Sequence, residues 1–346
     1  SWQPGRRVQH RTDGLAWPLE TNTDLVLQLH LNPSGKLEKI QPSVGFYFAK
    51  QPPSAFPVKT WLSSYDIDIP AGSDHYVITN SYVLPADATL LAILPHAHYT
   101  ATRIEVTAAE NGISKTLLSI PRWDFNWQGD YVYREPIPVR KGTVLSMNIE
   151  YDNSSHNPRN PSNPPKRIVY GLNSTNEMGE VWFQLLPVSQ SAYQAYQADY
   201  KTRIYQDSIR YNEFLLRNNP RDAVALSTIG VGWMALNELN KAEGFFLESI
   251  KVDPTADFPY YHMASLQIQK GNLPRAYAAL QKATRMNARN FKSQGLLGVV
   301  CSQLEKFDEA ELHYNAALRL NPNDATAREN LSYLSVQRAK AASRPR

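Results

Sequence analysis

The sequence predicts a multidomain β + α protein, an antiparallel, jelly-roll-like β-sandwich followed by an α-helical solenoid. Three observations predict it. Residues 1–188 are made of short apolar or alternating runs separated by clusters of Pro, Gly, Asn and Ser. From 220 to 322, small residues recur at a fixed spacing of 34. Between these stretches, residues 189–218 place Tyr193, Tyr196 and Tyr200 at helical spacing on one face.

In the first stretch, the runs at 24–31, 43–49, 76–84, 90–94, 103–108, 144–151, 168–172 and 181–186 read as strands. Many short strands at such spacing point to a sandwich of antiparallel sheets. Most of the prolines fall here, as turn and edge punctuation. Residues 153–166 hold Asn, Ser and Pro in abundance and read as an irregular loop. The helix at 189–218 is expected to bury its tyrosine stripe against the sandwich or the first repeat.

In the second stretch Gly230, Ala264 and Gly298 are 34 apart, as are Ala242, Ala276 and Ala310, then Ser249, Ala283 and Ala317. Pro254, Ala288 and Pro322 close each unit. This period, with small residues where paired helices approach, is the tetratricopeptide signature. Three full repeats and a terminal helix at 325–339 follow, near the minimum for a stable stack. Such a stack presents a concave surface suited to a protein partner.

Composition narrows the function. The 346 residues suit two or three domains, and the 42% hydrophobic share is ample for packed cores. A net charge of +4 is too small for a dedicated nucleic-acid surface. No apolar run is long enough to span a membrane. The single cysteine, Cys301, excludes an internal disulfide and reads as a core residue of a repeat. No glycine-rich phosphate loop, paired cysteines or H-E-x-x-H pattern occurs. Asp124 and Asp130 beside Trp123 and Trp127 read as a turn clamped by aromatics.

The chemistry-bearing feature is His96-Ala97-His98, followed some eighty residues later by Met178 in Asn176-Glu177-Met178-Gly179-Glu180. On a strand, i and i+2 face the same way, so both imidazoles reach one ion. A thioether beside them is a soft donor, which selects copper, above all Cu(I). Of the remaining histidines, His75 and His156 read as surface residues, with His75 a spare ligand. His262 and His313 read as solvent-facing or groove residues of the repeats, and His10 carries no signal.

Leu27-Gln28-Leu29-His30, Ser43-Val44-Gly45-Phe46-Tyr47-Phe48, Ile69-Pro70-Ala71-Gly72, Pro95-His96-Ala97-His98 and Glu177-Met178 occur in this order. The ordered set resembles the copper type II, ascorbate-dependent monooxygenases, relatives of peptidylglycine and dopamine hydroxylating enzymes. The stretch from Trp123 to Tyr131 looks like the bacterial multidomain branch. The resemblance covers roughly residues 1–188 and implies hydroxylation of a C–H bond with O2 and a reductant such as ascorbate. It implies His96, His98 and Met178 as ligands of the oxygen-binding copper, and His30 as one of three histidines on a second copper. The adjacent His-His pair expected for that second site is absent from this sequence. With a start at Ser1, this implies the C-terminal portion of a longer enzyme, with two coppers when intact and one complete site here.

The implied domains are 1–52, the end of a first monooxygenase β-domain; 53–188, the copper β-sandwich; 189–219, a linker helix; and 220–341, the repeat array. Peptidylglycine-type relatives carry an arginine two residues before the first histidine and a tyrosine four after the methionine. Leu94 and Trp182 stand there instead, and with Glu180 they are the candidate substrate-pocket residues. Leucine cannot make the bidentate carboxylate pair that arginine makes, so a glycine-ended peptide is not the expected substrate. A more apolar or aromatic small molecule fits better. Family members are exported, so a periplasmic or extracellular location is expected. The alternative is a non-catalytic tetratricopeptide interaction module carrying a copper-binding or relict β-domain.

Overall fold

The structure, a computed structural model, describes residues 15–343 apart from 18, 20–22, 28, 30, 32–33, 50 and 54. The chain divides after Tyr200 into two compact units.

The first unit holds the strands β1 (Val58–Ser63), β2 (Asp68–Ile69), β3 (Tyr76–Val83), β4 (Ala88–Ala97) and β5 (Ala101–Glu110). β6 (Ile113–Ile120), β7 (Tyr131–Val139), β8 (Val144–Tyr151), β9 (Ile168–Val169) and β10 (Gly179–Pro187) follow. They form two four-stranded sheets, β1-β10-β4-β7 and β3-β8-β5-β6, and the short pair β2-β9. Every pairing is antiparallel. Alternation makes the core: Leu145, Met147, Ile149 and Tyr151 of β8 point inward, as do Val181, Phe183 and Leu185 of β10. The sheets approach closely where β10 begins. A Cβ on Gly179 would lie 2.2 Å from Ile78 Cδ1 and 2.5 Å from the Tyr151 hydroxyl, so only glycine fits there.

β4 carries one irregularity that matters. Leu90 pairs with Leu185 and Ala92 with Gln184, so Leu91 is an extra residue. Such a bulge shifts the in–out alternation by one. Ala88 and Leu90 face inward before it, and Ile93, Pro95 and Ala97 after it. Leu94 and His96 are thereby turned to the outer face of the sheet.

The runs at 24–31 and 43–49, expected as strands, form none among their described residues. Val26, Tyr47 and Phe48 are three-quarters exposed or more. A strand needs a ladder partner for its backbone N–H and C=O groups, and no described neighbour supplies one. The loop at 153–166 is irregular, as expected. The fully buried Asn153 ties it down, donating to the carbonyls of Pro70 (3.0 Å) and Lys166 (2.8 Å) and accepting from Asn160 (2.8 Å).

A long helix, α1 (Gln190–Asn218), crosses the division between the units. Its first turns use the predicted tyrosine stripe on the sandwich. Tyr193 packs on Phe56, the Tyr196 hydroxyl donates to the Ala86 carbonyl at 2.9 Å, and Tyr200 meets the Trp61 ring edge-on.

The second unit is a helical array of three antiparallel pairs. α2 (Ala223–Ala235) packs on α3 (Leu239–Val252), α4 (Phe258–Gln269) on α5 (Leu273–Met286), and α6 (Phe291–Gln303) on α7 (Phe307–Leu320). α8 (Ala325–Ala342) closes the stack against α7. The predicted small residues are fully buried at the helix crossings, and Cys301 lies in the same core. Burial pushes the Cys301 thiol up to about 11, which makes it inert at neutral pH. Asp222, Asn272 and Asn290 cap the helices that follow them through side-chain oxygens. Among the described residues, no helix is long and apolar enough to cross a membrane.

Candidate metal centre

His96 is the last outward-facing residue of β4, and His98 lies one residue beyond the strand. Their rings sit edge to face with centroids 5.2 Å apart. In the ladder between β4 and β10, Glu180 is opposite His96 and Gly179 opposite Ala97. The ladder ends there, with Met178 just before Gly179 and His98 just after Ala97. Directly opposed residues of antiparallel strands are neighbours on one face. The backbone segments that carry His96, His98 and Met178 thus meet at one end of one sheet, where the N–H groups of His98 and Met178 share the Glu177 carboxylate.

The tautomer of each imidazole follows from its partner. Gln128 donates its amide Nε2 to the Phe125 carbonyl at 2.8 Å, so its Oε1 faces His96 Nδ1 at 2.6 Å. An amide oxygen only accepts, so His96 Nδ1 carries the proton. His98 Nδ1 lies 2.9 Å from the backbone carbonyl of Asn176, again a pure acceptor. In its neutral form each ring then holds its hydrogen on Nδ1, which leaves the lone pair to Nε2. This is the arrangement of metal-ligating histidines, whose other nitrogen donates to a carbonyl or carboxylate.

Two further segments hold the pair in place. Glu177, 1% exposed, accepts from the backbone N–H groups of His98 (2.8 Å), Thr100 (2.6 Å) and Met178 (3.3 Å), and from the Thr100 hydroxyl (2.8 Å). Burial pushes its carboxyl up to about 7 while these donors pull the other way. The stretch between β6 and β7 packs over His98. Trp123 is buried with its indole N–H on the His98 carbonyl at 3.2 Å, and Phe125 meets the His98 ring edge-on. The fully buried Tyr151 donates its hydroxyl to the Met178 carbonyl at 2.9 Å. Burial, with Glu177 next in order, holds that phenol well above its ordinary range, so it remains a donor.

The candidate substrate-pocket residues share the outer face. Trp182 is opposite Leu94, and its indole N–H donates to Glu180 at 3.1 Å. Trp61 of β1 stacks on Trp182 at 5.3 Å. This patch beside the histidines is aromatic and aliphatic, with one carboxylate.

Among the described residues, no group of three or more His, Cys, Asp and Glu is placed to hold an ion. Met178, whose backbone N–H shares the Glu177 carboxylate with that of His98, carries the thioether that would complete a soft donor set suited to copper. His30, expected on a second copper, lies outside the described residues, as does His10. His75 and His156 are exposed. Sequence reasoning passed over Gln128 and the Asn176 carbonyl. A carbonyl has no residue signature, and one glutamine in an aromatic-rich loop carries none. His262 and His313, expected as solvent-facing or groove residues, are half-buried. His262 stacks on Phe246 at 5.8 Å, and His313 bonds Gln294 at 2.8 Å.

The tetratricopeptide repeat family matches residues 259–290 and 292–324. This part of the chain is a tetratricopeptide array, a fold that suits protein interaction. The chain is 23% identical over 116 residues to cell division cycle protein 27 homolog A of Arabidopsis thaliana, which is 34% of this chain and 16% of that protein. Among solved structures it is similar to the Arabidopsis OM64 TPR domain (23% identity, TM-score 0.32, 33% of this chain and 94% of that one). It is also similar to the first TPR of Spaghetti (RPAP3) bound to an HSP90 peptide (22%, TM-score 0.33, 35% and 94%). The MamA protein is a further match (22%, TM-score 0.34, 41% and 86%).

Proposed function

We propose that the β-sandwich is the oxygen-side copper domain of a monooxygenase that hydroxylates a C–H bond with O2 and a reductant such as ascorbate. The tetratricopeptide array would bring it to a protein partner. One observation carries the reading. Two histidines at i and i+2 both have Nδ1 committed to pure acceptors, which leaves Nε2 of each neutral ring as the metal-binding atom.

His96 Nε2, His98 Nε2 and the Met178 thioether would hold the copper, which supplies one-electron redox chemistry and an open coordination position when bound. The chain's own residues do the rest. Gln128 and the Asn176 carbonyl hold the ring protons at Nδ1. Glu177 holds the backbones of His98 and Met178 to one carboxylate. Trp123 and Phe125 cover His98 and keep water from that side. Leu94 and Trp182 offer an apolar surface to a substrate C–H group, with no arginine to anchor a peptide carboxylate.

The test is copper stoichiometry and Cu(I) X-ray absorption on the purified chain, wild type against Met178→Ile. About one copper per chain, with a sulfur scatterer that the variant lacks, is the expected result. No copper under reducing conditions, or a sulfur signal that persists in the variant, would sink the reading.

The tetratricopeptide matches at 259–324 favour a second reading, a non-catalytic interaction module with a copper-holding or relict sandwich. Oxygen uptake separates the two. Copper-loaded protein that consumes no oxygen with ascorbate, even when joined to a domain supplying the second copper, would favour the module.

A further inference from the structure

The loop between β6 and β7 does more than cover the site. Its Gln128 bridges two partners: Nε2–H donates to the Phe125 carbonyl at 2.8 Å, and Oε1 accepts from His96 Nδ1 at 2.6 Å. The first bond fixes which way the amide faces, and the second then fixes where the imidazole proton sits. His98 owes its tautomer to a backbone carbonyl that no substitution removes. His96 owes its own to one replaceable side chain. His96 is also the more accessible of the two rings, half-buried where His98 is 4% exposed, so packing restrains it less.

We propose that Gln128 is the positioning residue of the metal centre, holding His96 in the Nδ1–H tautomer and in the orientation that presents Nε2 to the ion. The inference rests on the copper reading. It adds a residue that neither the sequence motif nor the ligand set identifies. Without an acceptor at Nδ1, a neutral imidazole divides its proton between the two nitrogens and its ring is free to turn about χ2. A fraction of the molecules then offers the ion an N–H rather than a lone pair. Loss of such an orienting partner typically weakens metal binding about 10–100-fold.

The test uses the whole chain and two variants. Gln128→Leu keeps the bulk and removes the acceptor. Gln128→Glu keeps an acceptor for Nδ1–H and gives up the bond to Phe125. The first readout is the ¹⁵N long-range correlation spectrum of the metal-free protein at pH 8, which reports the tautomer of each histidine directly. The second is Cu(I) affinity by competition with a chromogenic Cu(I) chelator. Expected are Nδ1–H at both His96 and His98 in wild type and in Gln128→Glu. In Gln128→Leu, His96 alone shifts toward Nε2–H, and Cu(I) binding weakens about 10–100-fold. An unchanged His96 tautomer or an unchanged Cu(I) affinity in Gln128→Leu overturns the inference and leaves the copper reading standing. Failure of the wild type to bind Cu(I), with the tautomer shift still seen, overturns the copper reading and the inference with it. A Gln128→Leu spectrum in which His98 also changes marks a collapsed loop. In that case Gln128→Glu decides: an Nε2–H ring at His96 there overturns the inference.

Discussion

Glu177 accepts two hydrogen bonds from Thr100, one from its backbone N–H at 2.6 Å and one from its hydroxyl at 2.8 Å. The same carboxylate takes the N–H of His98 at 2.8 Å. One buried side chain thus closes the turn after β4 onto the segment entering β10. Glu177→Leu would leave these buried donors without their acceptor. Each unsatisfied buried donor costs about 1–3 kcal/mol, so the sandwich should lose about 3 kcal/mol or more. Urea unfolding should show a lower midpoint with an unchanged slope. A loss below about 1 kcal/mol would show that the turn holds by packing alone.

Gly179 sets the spacing between the sheets at the site. An alanine there places a methyl 2.2 Å from Ile78 Cδ1 and 2.5 Å from the Tyr151 hydroxyl. Overpacking of this kind costs about 1–3 kcal/mol. Ile78→Val removes the nearer atom, so Gly179→Ala with Ile78→Val should be less destabilised than the two single effects summed. Additive losses in a denaturant double-mutant cycle would mean that Tyr151, not Ile78, is the clashing partner.

The repeats were legible because one pattern is written three times, so chance coincidences cancel. The sandwich was legible in β3, β4, β5, β8 and β10. β1, β6 and β7 left no signature in the sequence, and all three lie at sheet edges. β6 is largely exposed, and β7 carries Pro136 and Pro138, which only an edge tolerates. The runs at 24–31 and 43–49 carry the opposite error, apolar patterns that join no sheet among their described residues. The histidine pair was legible as a motif, but its outward aim was not. That depends on the bulge at Leu91, which a three-dimensional ladder reveals and a linear pattern does not.

A rule inside the repeats predicts a compensating pair. At the tight crossing, Gly230 faces Phe246 and Gly298 faces Tyr314, each ring within 3 Å of an added Cβ. In the middle repeat the same two positions hold Ala264 and Leu280. Glycine thus accompanies an aromatic ring, and alanine accompanies leucine. Gly298→Ala should cost about 1–3 kcal/mol by overpacking. Tyr314→Leu added to it should restore part of that loss, recreating the pairing of the middle repeat. Thermal melts of the three variants check this. A double variant no more stable than Gly298→Ala would show that the ring is not what excludes the methyl.

His262 makes the repeats acid-sensitive, and the sign follows from its surroundings. Burial against Phe246 and Tyr261, and then the positive charge of Lys292, lower its pKa below the ordinary 6.5. Burial lowers His313 as well. In the unfolded chain each imidazole takes up its proton near pH 6.5, and in the fold only at lower pH. The unfolded state therefore binds more protons across that window, and stability falls as pH drops below about 6.5. Above that value the contribution is complete. His262→Phe keeps a ring on Phe246 and has nothing to titrate, so the difference in unfolding midpoint between pH 7.5 and pH 5 should shrink. Chemical denaturation of the helical signal at the two pH values measures it. An equal pH difference in wild type and variant would place the acid sensitivity on His313 or on the carboxylates paired with Lys270 and Lys306.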